Sequence, residues 1–67
     1  VSDRHGVVVA FDEHQGLGTI RGGDDVEVPF HCTAIVDGTR TIDVGASVAY
    51  GLAPKLGRWE AVAVTPA

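Results

Sequence analysis

Apolar and polar side chains along this chain alternate with a period of two. Five stretches show the pattern, at His5 to Asp12, Leu17 to Arg21, Val26 to His31, Ala46 to Leu52 and Trp59 to Thr65. They are rich in β-branched and aromatic residues and are separated by turn formers, which is the signature of strands. No long window places its apolar residues at a 3.6 period, and nine glycines interrupt every candidate helix. The pattern predicts an all-β domain.

The connections suggest how the strands are joined. Glu13-His14-Gln15-Gly16 makes a short hairpin link in which Gly16 can take a positive φ. Gly22-Gly23-Asp24-Asp25 is the strongest turn signal, and Ala53 to Arg58 is long enough for a mobile loop. Between the third and fourth strands lies Cys32 to Gly45, where one helical turn is expected around Thr33-Ala34-Ile35 and a turn at Asp37-Gly38. A three-strand meander, a long link and a final hairpin are what a small Greek-key barrel requires, because closing the sheet removes its edges. Alternation assigns Val8, Ile20, Val28, Phe30, Val48, Tyr50, Val62 and Val64 to the core, with Ile35 and Ile42 as plugs from the link. The opposite face then carries Val7 or Val9, Ala10, Leu17, Thr19, Pro29 and His31.

Length and charge narrow the chemistry. The 67 residues make a single domain over 1–67, which at this size buries only about 60% of the surface its unfolded chain exposes. The chain opens on Val1 rather than methionine, which suggests processing or a trimmed terminus. The one cysteine, Cys32, excludes an intrachain disulfide and fits a reducing compartment, while His5, His14 and His31 show no paired ligand spacing. No metal or other cofactor is expected. The longest apolar run, Val7 to Phe11, is far short of a membrane span, so a soluble, cytoplasmic protein is expected. Nine acidic against five basic side chains give a net charge of −4, so the overall field repels phosphate backbones. Any nucleic-acid contact must be local. Asp12-Glu13 and Asp24-Asp25 read as turn carboxylates, and His31 and Cys32, as strand neighbours, are expected to face opposite sides. No catalytic set emerges, and an enzyme is not expected.

The segments "GVVVAFDEHQGLGTI" at 6 to 20, "VPFHCTAI" at 28 to 35, "RTIDVGASVAY" at 40 to 50 and "GRWEAVAV" at 57 to 64 resemble the bacterial cold-shock domain family. Gly16, Gly18, Ile20, His31, Ala34 and Ile35 fall on its motif positions, and Thr33 replaces a serine. The resemblance implies a five-stranded antiparallel Greek-key barrel of the oligonucleotide-binding (OB) fold, with single-stranded RNA or DNA as partner. The glycines read as barrel geometry rather than ligand contacts.

The departures from the family pattern fall on one face. Ala10 stands where the family has tryptophan, and Leu17, Thr19, Pro29 and Cys32 stand where it has phenylalanine. The aromatic of the following loop falls near Thr39, and two lysine positions hold Val9 and Gln15. Phe11 and His31 are the rings expected to remain on the face. The expected nucleic-acid contacts are Phe11, Leu17, Thr19, His31, Arg40, Lys55, Arg58 and Trp59. Trp59, placed off the core face by alternation with Val62 and Val64, has two readings: a relocated stacking platform, or a cover for the open barrel end. Bases stacking on rings contribute about 1–3 kcal/mol each, so binding is expected to be weak. The alternative is an interaction module whose refitted apolar face takes a protein partner or makes a homodimer.

Overall fold

The computed structural model describes residues 4–36, 38 and 41–67. Five strands form a closed barrel in the order β1-β2-β3-β5-β4: β1 Arg4–Asp12, β2 Leu17–Gly22, β3 Glu27–His31, β4 Ser47–Lys55 and β5 Arg58–Pro66. Four of the described pairings are antiparallel, and β3 meets β5 in parallel at Phe30 and Ala61. A 3₁₀ turn, Cys32–Ala34, follows β3, and an isolated parallel bridge between Ile35 and Val64 continues that seam. The expected five-stranded closed barrel is therefore the observed fold, with its β3–β5 seam parallel.

The core holds Val8, Ile20, Val28, Phe30, Ile35, Val48, Tyr50, Ala61 and Val64, with Phe11, Ala34, Ile42 and Leu52 packed against it. One expectation fails here. Ala61, not Val62, is inside, because β5 carries an extra residue: Ala49 pairs Thr65 and Gly51 pairs Val62, so three steps on β5 face two on β4. Ala63 within that bulge has a left-handed φ of 52°. Strict alternation cannot see such a phase change.

The expected mobile loop at Ala53 to Arg58 is also absent. β4 runs on to Lys55 and pairs residue by residue with β5 from Arg58, leaving only Leu56 and Gly57 as the turn, at φ 50° and 82°. Two positive φ angles are what a two-residue type I′ hairpin demands. The glycine at the second position supplied the signal, and the leucine at the first concealed it. Asp37, of the expected Asp37-Gly38 turn, lies outside the described residues.

Candidate functional site

A bulge in β1 sets the outward face. Val8 pairs Ile20 and Ala10 pairs Thr19, so Val9 is the extra residue and the strand changes phase across it. Ala10 turns outward and Phe11 inward. Three rows then cross β1, β2 and β3: Val7, Arg21 and Glu27; Ala10, Thr19 and Pro29; Asp12, Leu17 and His31. Pro29 is tolerated because β3 has a single register pair with β5, so its missing N–H disrupts no continuous ladder.

Phe11 is half-buried: its ring packs against the core and still forms part of the groove wall. Its ring stacks on Phe30, with centroids 6.0 Å apart and planes 10° apart. Gly18 fits over that pair because a Cβ there would run into the Phe30 ring. Gly16, at φ 67°, lies where a Cβ would press on the Cys32 sulfur, and its carbonyl accepts the Cys32 N–H at 2.7 Å. Both glycines of the "QGLGTI" stretch have structural reasons for being glycine.

His31 ends β3 and caps the 3₁₀ turn. Its Nδ1 accepts the Thr33 N–H at 3.3 Å and lies 3.0 Å from the Thr33 hydroxyl. With Nδ1 accepting, the neutral ring keeps its proton on Nε2. The Cys32 sulfur is 3.8 Å from Nδ1, so the two side chains are not on opposite sides as expected. The strand stops at His31, and the turn brings its neighbour around.

Phe11, Leu17, Thr19, His31 and Arg58 come together along one groove of about 470 Å³, whose wall also includes Asp12 and Glu60. Lys55 lies in a second concavity of about 320 Å³ that meets the first at His31 and Glu60. Trp59 lines neither of these concavities. It is 58% exposed and pairs with Pro54 on the hairpin. It has the parity of the buried Ala61, so its exposure comes from lying beyond the barrel wall and not from alternation. Arg40 and Thr39 lie outside the described residues.

The charges are unevenly available. Arg21 is held by Glu27 at 2.7 Å, and that hydrogen-bonded carboxylate raises its pKa further. Asp12 accepts the N–H groups of His14 and Gln15 at 2.9 and 3.2 Å, which fixes the β1–β2 turn. Among the described residues Arg58, Lys55 and Glu60 form no ion pair. Glu60 was missed in the sequence because its place in the groove depends on the β5 bulge. Chemically, the site offers an apolar floor, one imidazole for stacking and one guanidinium for an anion. Among the described residues no cluster of three or more His, Cys, Asp or Glu forms that would hold a metal.

Residues 4–67 match the model of the "cold-shock" DNA-binding domain. The solved structure of "drosophila Unr CSD456" superposes with a TM-score of 0.79 over 96% of this chain, at 22% sequence identity. This chain spans 26% of that one, and the likeness is one of fold. No curated protein matches by sequence.

Proposed function

The chain belongs to the "cold-shock" DNA-binding domain family, and from that membership we propose that it holds single-stranded RNA or DNA weakly in the groove across β1, β2, β3 and the start of β5. One observation carries the reading: five of the expected contact residues, Phe11, Leu17, Thr19, His31 and Arg58, line a single groove. His31 stacks one base, Arg58 takes a phosphate, and the floor of Ala10, Thr19 and Pro29 packs against sugars and base edges. Lys55 and Trp59 serve a strand that continues past His31.

Weakness follows from the missing rings. With Ala10, Leu17, Thr19, Pro29 and Cys32 in place of aromatics, the loss is on the order of 5 kcal/mol, several decades in affinity. The net charge of −4 adds no compensation.

The test is a titration with short homopolymeric oligonucleotides at low and moderate salt, read by backbone amide shifts. Shifts are expected at Leu17, Thr19 and His31, with a log–log salt slope of magnitude no larger than about 2–3. Arg58→Ala should flatten that slope by about 1. Binding that leaves those three amides still would move the site to the hairpin. No binding of any oligonucleotide at low salt would refute the reading.

A further inference from the structure

The charges across the groove have an order. Asp12 closes the β1 side, and Glu13 follows it in the turn with its carboxylate accepting the Thr41 hydroxyl; Arg58 and Glu60 line the β5 side, and Lys55, in the neighbouring concavity, pairs with Arg58 across the hairpin. Between them lies an apolar floor in which Leu17 is 47% exposed and Ala10, Thr19 and Pro29 form one row. The trough therefore has an acidic side and a side on which Arg58 and Lys55 outnumber Glu60, and a surface of that kind is complementary to itself. A two-fold axis along the floor turns one copy over and sets the acidic side of each against the basic side of the other, floor to floor.

We propose that a second copy of this chain occupies the trough, in a two-fold dimer that pairs the Arg58 and Lys55 side of each copy with the Asp12 and Glu13 side of the other. The basic hairpin lip of each copy drops into the trough of its partner and brings the exposed Leu56 with it. Glu60, on the basic side, offsets part of that charge. The area is modest: a tenth of the 4263 Å² surface is about 400 Å² per copy, below what a permanent dimer buries. The dimer is therefore transient, weakened by salt, and exclusive with a nucleic-acid strand on the same floor.

The test uses the protein alone, so its outcome is separate from that of the oligonucleotide titration. Amide shifts and sedimentation are followed from about 20 μM to about 1 mM, a span that brackets sub-millimolar dissociation constants. Concentration-dependent shifts are expected at Leu17, Thr19, His31 and Arg58. Arg58→Glu should weaken association by about tenfold or more, and so should Asp12→Asn with Glu13→Lys, a pair in which the introduced amide oxygen keeps the acceptor the turn needs. Mixed in equal amounts, the two variants should associate at least as well as the native protein, because each altered side then meets its opposite. Arg58→Gln, with a smaller effect of the same sign, stands in should the reversal disturb folding. A protein monomeric at the highest concentration would overturn the proposal and leave the trough to nucleic acid or another protein. A mixture of folded variants associating no better than its components would overturn it too.

Discussion

Gly18 is a residue whose absent side chain decides the packing around it. A methyl group there meets the Phe30 ring that Phe11 stacks upon, so Gly18→Ala should cost about 1–3 kcal/mol in denaturant unfolding. Gly23→Ala is its control: nothing lies within 4 Å of that Cβ, and the change should stay within about 0.5 kcal/mol. Tyr50 makes a second single-residue case. Burial raises its pKa, Arg4 opposes the shift and Asp24 adds to it. A phenol whose folded pKa lies above its unfolded value near 10 contributes fully below about pH 10, and that contribution is lost as pH rises through the folded value. Unfolding curves between about pH 8 and 11 should show stability falling at the alkaline end, and Tyr50→Phe should flatten the fall. Roles of this kind were partly legible. Turn chemistry marked Gly16, but the clash that reserves Gly18 belongs to a ring twelve positions away in sequence and exists only once β2 and β3 pair.

Among the elements, the β4–β5 hairpin differs most from its sequence signal. Proline, lysine and two small residues suggest a loop, yet strand pairing continues to Lys55 and Arg58. Leu56 is fully exposed at φ 50°, so it supplies no packing and carries the left-handed penalty of a residue with a Cβ. Leu56→Asn should therefore raise stability by about 0.5–1 kcal/mol, read as a higher melting temperature. Strand existence was legible throughout, because period-two alternation reports local burial. Phase was not. Each bulge inserts one residue whose position depends on the neighbouring strand: the β5 bulge displaced Val62 from the core, and the β1 bulge turns Phe11 toward the core while leaving it at the groove wall.

For the whole molecule, closure of the barrel separates a core that fixes the fold from a face that is free to vary. Ala10 and Thr19 are register partners, with Leu17 one row along, so the triple variant Ala10→Trp, Leu17→Phe, Thr19→Phe should build a contiguous aromatic surface without moving the backbone. Each ring offers about 1–3 kcal/mol of stacking, so affinity for a pyrimidine-rich single strand should rise by about two decades or more. Equilibrium titration of a folded triple variant checks this, and unchanged affinity would mean the face is not the contact surface. The fold was legible because five strands with these connections admit few closed arrangements. The groove was legible on β2 and β3, where no bulge intervenes. It was not on β5, where the place of Glu60 depends on the bulge around Ala63.

The extra residue Val9 also bears on how such a surface changes over generations. Losing that one codon would turn β1 into a regular strand in which Val8 still pairs Ile20 and Ala10 still pairs Thr19, so every remaining side chain keeps its face. The same loss at Thr19, in the bulge-free β2, would turn over whatever follows it. Length in β1 is therefore a reserve: a deletion there is absorbed locally, and losing Ala10 instead of Val9 would place a valine opposite Thr19 at the centre of the groove. For this face, a change in chain length is as direct a route to a new contact surface as point mutation.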